Sequence, residues 1–213
     1  MYRKFNATPV APAAQTSDIR PIAGSKNLPP ENRSNMNHYG AKQMAASWRT
    51  VRNNTIQTAE DIPADKYNFR VSPDTMTVAE MLAHMTMSPH WAQQVHMVEK
   101  KHAITREDFG KYREESNAIG SKLTTKDAIV AELKTRGEQF ATLLEGMSDA
   151  QLGEMVESPG GAKSRFEMLL GSKEHEMHHR AQLMQMQRLL GIVPHLTRAR
   201  QAQMAAMQQA QTA

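Results

Sequence analysis

The chain has 213 residues, 39% of them apolar, no cysteine and a formal charge of +4. That composition suits one soluble globular domain with polar ends, and it excludes disulfides, thiolate metal ligands and any long apolar membrane span. Much of the positive excess lies in the first 35 residues, where Arg3, Lys4, Arg20, Lys26 and Arg33 outnumber Asp18 and Glu31, so the near-neutral remainder argues against a nucleic-acid-binding surface.

Residues 1–35 are rich in Pro, Ala, Ser and Asn, lack periodicity and read as a disordered extension. No apolar signal core stands at the N-terminus, which points to a cytoplasmic protein with no membrane association. A first helix is expected from Tyr39 to Ala59, ending before Pro63, with Trp48, Val51 and Ile56 as core contacts. Thr77-Val78-Ala79-Glu80 is a capping box that opens a second helix through Val98. Pro89 removes a backbone donor inside it, so a kink or break is expected near Met85–Pro89. Residues 103–123, polar and interrupted by glycine, read as a long connection. Thr124 or Thr125 caps a third helix that reaches Leu144 and closes at Gly146. Residues 152–163 read as a loop with a short extended piece. Ser164-Arg165-Phe166-Glu167 is a second capping box, opening a fourth helix to Leu190 with Gly191 as its stop. The expected fold is all-α: a four-helix bundle with a long crossover connection over 36–199, preceded by the extension and followed by a polar tail, 200–213, with some helical character.

The chemistry concentrates in His175-Glu176-Met177-His178-His179, with His84 far upstream. Residues four apart on a helix sit about 40° apart on one face, so His175 and His179 can share one divalent ion. At about 100° per residue, Met168, Ser172, His175, His179, Leu183, Met186 and Leu190 share one stripe. On the second helix Thr77, Met81, His84, Ser88, Trp91, Ala92 and Val95 share another. A single inward histidine is ordinarily a hydrogen-bonded core residue. Three of them on two core-facing stripes compete for few partners, and bundle cores are common places for metal sites. His178 falls at the edge of the stripe and is not expected to be a ligand. His38, His90, His96, His102 and His195 lie off the common face or outside it and take the bland reading. The methionines read as flexible core filler, and Trp91, like Trp48, as a core anchor.

The five residues also match the zinc-protease pattern H-E-x-x-H. Such enzymes take their third ligand from downstream, yet the chain after His179 holds no Asp or Glu, and the longer motif's Gly and His positions hold Gln182 and Gln185. The protease reading is therefore set aside.

Val78-Ala79-Glu80-Met81-Leu82-Ala83-His84-Met85 and His175-Glu176-Met177-His178-His179-Arg180-Ala181-Gln182-Leu183 together resemble the DinB/YfiT-like family of metalloenzymes. The resemblance spans roughly residues 37–199. It implies a four-helix bundle with a long crossover, frequent homodimers and a three-histidine site for one divalent ion, zinc or nickel. Carried over residue by residue, the ligands are His84, His175 and His179. Ala181 stands where the family often has glycine. Relatives include thiol S-transferases and thiol-dependent isomerases, which implies a small-molecule substrate and a metal that activates a thiol or water, in a transferase or a hydrolase. A non-catalytic metal-binding stress-response protein is the alternative. Glu176, projecting about 100° from His175, reads as a solvated residue rather than a base. Arg180 reads as an anion-binding candidate or a surface or dimer salt-bridge partner. No catalytic residue is assigned to either.

Overall fold

The computed structural model describes residues 39–212, so the extension expected at 1–35 lies outside the described residues. Helix α1 spans Ala41–Asp61 and buries Met44, Trp48, Val51, Arg52, Thr55, Ile56 and Ala59, a helical repeat that gives it one wide inner face. Helix α2 spans Val78–Met87. Its capping box closes as the sequence indicates: Thr77 N donates to Glu80 Oε2 at 2.7 Å and Glu80 N to Thr77 Oγ1 at 3.1 Å.

The helix then breaks at Pro89, and short α3, His90–Gln93, follows, continuing into a π-helical turn over Gln94–Val98. The cause is local. An amide at position 89 would bond the Met85 carbonyl in an unbroken helix, and proline has none. That carbonyl instead accepts from Ser88 Oγ at 3.0 Å and from Arg52 Nη2 on α1 at 3.0 Å. The break thus keeps its freed acceptor satisfied.

Residues 106–120 depart from expectation. They form a further helix, α4, spanning Arg106–Gly120, where a long irregular connection was expected. Thr105 and Asp108 make a reciprocal box at its start, with Thr105 N donating to Asp108 Oδ2 at 2.9 Å and Asp108 N to Thr105 Oγ1 at 3.2 Å. Tyr112 is its one buried residue, which is why it carries no apolar stripe. Helix α5, Lys126–Glu145, is capped by Thr125 and ends at Gly146. After short α6, Asp149–Gly153, two-residue strands β1, Met155–Val156, and β2, Lys163–Ser164, pair antiparallel with Met155 opposite Ser164.

Helix α7 spans Arg165–Leu189. Ser164 Oγ accepts from Glu167 N at 3.1 Å, but the Glu167 carboxylate turns to Lys163 at 3.1 Å, so the second box closes on one side only. Gly191, at φ +76°, makes the left-handed stop. Helix α8, His195–Thr212, then begins after Pro194, so a helix runs straight across the position where the polar tail was expected to begin.

Helices α1, α2, α5 and α7 form the bundle. Both α1 and α2 pack against α5 and α7, so α1 lies diagonal to α2. The crossover from α2 to α5 is made by α3, the π turn and α4, and α4 leans on α2 and α3. One end of the core holds Ile56, Leu82, Met85, Ile129, Leu133 and Leu183. The other holds Trp48, Phe140, Leu144 and Leu169, with the Trp48 and Phe140 rings edge to face at 5.0 Å. Among the described residues no helix is long and apolar enough to cross a membrane.

Candidate metal centre

Helix α2 supplies His84, and α7 supplies His175 and, one turn on, His179. The Nε2 atoms of His84 and His175 stand 3.0 Å apart, and those of His179 and His175 stand 3.1 Å apart. All three ligand atoms lie within 4.8 Å of one another. Two nitrogens held tetrahedrally at about 2.0–2.1 Å from a zinc ion would be about 3.3 Å apart, close to the two spacings measured through His175. The donor chemistry fits as well. Three lone-pair nitrogens converge with no carboxylate or thiolate among them, and a single ion serves them better than mutual hydrogen bonds.

The electrostatics keep these rings neutral. Burial, with His179 and His84 next in effect, pushes the His175 imidazole down to about 4. Burial also lowers His84, aided by His179, and it lowers His179 against the opposing hydrogen bond from Gln182. Gln182 Oε1 stands 2.8 Å from His179 Nδ1 and, as an amide oxygen, accepts a hydrogen bond from the Nδ1–H, leaving the Nε2 lone pair free to face the other histidines. The Gln182 amide nitrogen reaches toward His178 Nε2 at 3.4 Å. His178 is exposed and stands outside the cluster, in the position its helical phase indicates.

Two expectations need correction. His84 is not enclosed in the core. The residue as a whole is exposed although its neighbours partly desolvate the ring, His175 is half-buried and His179 is buried, so the cluster grades from interior to surface. The exposed edge opens on a cavity of about 900 Å³ between α2, α3, α4 and α7, whose wall includes His84 and His175. Helix α4, absent from the expected fold, supplies its outer wall.

Glu176 is the second correction. It is completely buried, not solvated, and its Oε2 lies 3.2 Å from Nη2 of the equally buried Arg52 on α1. Burial raises the Glu176 carboxyl above the usual carboxylate range, against the opposing effect of the Arg52 and Arg180 cations. Burial lowers Arg52 as well, opposed by Glu176, but a guanidinium starts so far above neutrality that it stays charged. The ion pair ties the Glu176 carboxylate to α1. Arg180 is half-buried and donates from Nη1 to the Val51 carbonyl at 3.1 Å, so it braces α7 on α1.

Sequence reasoning did not foresee the role of Gln182, although its place three residues after His179, on the same helix face, was a usable signal. It also missed the Arg165 anchor. That buried guanidinium holds the start of α7 to Glu154 at 2.9 Å, to His96 Nδ1 at 3.3 Å and to the Lys100 carbonyl at 3.2 Å.

The helical bundle thus brings three histidines from two of its helices together beside a cavity. The DinB superfamily model matches residues 47–183, a span that includes all three histidines, and the chain belongs to that superfamily. No curated protein matches the chain. Among solved structures, a DinB-like protein from Bacillus subtilis is 23% identical with a TM-score of 0.55, covering 70% of this chain and 92% of its own. A mycothiol-dependent maleylpyruvate isomerase is 12% identical with a TM-score of 0.50 and covers 65% of this chain, which spans 59% of the isomerase. At these identities both show a shared fold.

Proposed function

We propose that this protein is a metal-dependent enzyme acting on a small molecule, with one divalent ion, zinc or nickel, held by His84, His175 and His179. One observation carries the reading: the histidine cluster reaches the surface at a cavity instead of being sealed in the core. A structural ion is ordinarily closed off by four protein ligands, whereas three ligands beside a cavity leave a position for reactant. When bound, such an ion supplies Lewis acidity that makes a thiol or water a usable nucleophile at neutral pH.

The chain's own side chains do the rest. His84, His175 and His179 present neutral nitrogens because burial disfavours their protonated forms. Gln182 fixes the His179 tautomer. Trp91, Met87 and Ala83 line the cavity with apolar surface that excludes water from a substrate bound beside His84. Glu176 and Arg180 serve the packing of α7 on α1 and take no part in proton transfer. Transfer of a thiol to an electrophile is the reaction that best suits this reading, and the isomerase that shares the fold, which depends on mycothiol, supports thiol chemistry. The test is turnover by tag-free, metal-loaded protein: loss of free thiol in the presence of small electrophiles, compared with chelated protein. Metal-dependent consumption supports the reading. Identical rates with and without metal across thiol and hydrolytic assays refute it.

A further inference from the structure

The cavity beside the histidines has a chemical polarity of its own. Its α4 wall includes Arg106, Gly110, Arg113, Ser116 and Gly120, which recur every three or four positions and so share one helix face, with Phe109 beside them. Helix α4 therefore does have a helical repeat, directed at the cavity rather than at a core. Small residues at 110, 116 and 120 leave room, while Arg106 and Arg113, two turns apart, place two cations on that face.

Neither arginine has an ion-pair or hydrogen-bond partner among the described residues, although most other arginines of the bundle do. The one carboxylate in the wall, Glu80, is taken up by the Thr77 amide and by Arg70 at 3.6 Å. Arg180, the other candidate for an anion, is occupied at the Val51 carbonyl and lies outside the wall. Opposite α4, Ala83, Met87 and Trp91 are apolar. On the α7 side the wall includes Ser172, only 4% exposed, whose Oγ is buried without a protein partner. A buried hydroxyl with no protein partner is a group for a ligand or water to satisfy.

We propose that this cavity binds a small molecule with an apolar body and an anionic head, the head held by Arg106 and Arg113 and the body lying along Ala83, Met87, Trp91 and Phe109 toward His84. The proposal rests on the small-molecule reading of the site and names its substrate class. At about 900 Å³ the cavity is at the upper end of the range for small-molecule sites, enough for a ligand much larger than a bare anion. A guanidinium can offer a carboxylate or phosphate paired, charge-assisted hydrogen bonds, and this wall carries two.

The test uses the fluorescence of Trp91, since Trp48, at 1% exposure in the core, contributes a constant background. The full chain is titrated with octanoate, octyl phosphate, octanol and octylamine, before and after chelation, with metal content measured in each sample. The expected result is binding of at least one anionic probe about tenfold tighter than octanol, the scale of one charge-assisted hydrogen bond. Octylamine binds more weakly than octanol. The exposed substitutions Arg106→Gln and Arg113→Gln, combined, bring the anionic probes down to the octanol level while metal content stays unchanged. The preferred head, carboxylate or phosphate, is read from the same titrations. Equal affinity for anionic and neutral probes overturns the proposal. So does anion binding that disappears on chelation and ignores the arginine substitutions, because the head would then sit on the ion. Arginine-dependent binding in a protein that takes up no metal would instead refute the metal reading and leave this one standing.

Discussion

Gln182 Oε1 lies 2.8 Å from Nδ1 of His179, one turn along α7, and this contact decides which imidazole nitrogen faces His84 and His175. Replacing Gln182 with Ala removes the acceptor while leaving the surface otherwise intact, because the residue is exposed. Metal affinity is expected to fall about 10- to 100-fold, the usual effect of losing a ligand's outer partner. Competition against a chelator of known affinity measures it, and melting of the chelated protein should barely change. An unaltered metal affinity would show that the tautomer is set in some other way.

The Arg52–Glu176 pair should behave as a buried unit. Removing one member, by Arg52→Leu or Glu176→Leu, leaves an uncompensated charge in the core and is expected to cost about 3–5 kcal/mol. The double variant, Arg52→Leu with Glu176→Leu, should recover most of that loss, although it also strips the Met85 carbonyl of a donor. Chemical denaturation of the four proteins gives the cycle. Additive losses would mean that the two residues act independently.

Two glycines should respond to alanine in opposite directions. A Cβ at Gly137, inside α5, would come within 2.6 Å of Arg52 Cγ, while the Gly137 carbonyl accepts from Trp48 Nε1 at 2.8 Å. Gly137→Ala should therefore destabilise the fold by about 1–3 kcal/mol, overcoming the gain in helix propensity. At Gly110 in α4 an added Cβ meets nothing within 4 Å, and Gly110→Ala should stabilise by about 0.5–1 kcal/mol. Thermal melts of both variants decide the matter, and the same sign for the two would contradict the packing described here.

Acid sensitivity should be traceable in part to His96. Burial, and then the neighbouring Arg165, hold its imidazole at about 4, below the ordinary 6.5. The folded chain thus binds fewer protons here than the unfolded chain does across that interval. The stability cost is absent above about 6.5, grows as pH falls, and levels off below about 4. His96→Gln removes the titrating group and offers Arg165 a carbonyl oxygen in its place. The melting temperature of this variant should fall less steeply than wild type from pH 6.5 to 4, and parallel curves would remove His96 from the acid response.

Much of this architecture is legible in the sequence because its signals are local. Thr77, Thr125 and Ser164 mark helix starts through bonds to amides three residues on, and Pro89 and Gly191 mark a break and a stop by backbone chemistry alone. The histidine cluster is legible for a similar reason: phase on two helices brings His84 to the side of His175 and His179. What escapes is what depends on distant partners. The burial of Glu176 requires Arg52 on another helix, and one charged residue beside a histidine gives no hint of that. Helix α4 escapes because it walls a cavity with Arg106, Gly110 and Arg113, so its inward face is not apolar. Asp108 in its capping box, in place of the usual Glu or Gln, is a weaker mark of its start.

The most direct measurement is metal content by elemental analysis of the untagged chain, for wild type, a His84→Ala, His175→Ala double variant, His179→Gln and His178→Gln. The account predicts one divalent ion per chain in wild type and in His178→Gln, none in the double variant, and loss or great weakening in His179→Gln. Full occupancy in the double variant, or loss of the ion from His178→Gln with retention in His179→Gln, would contradict it.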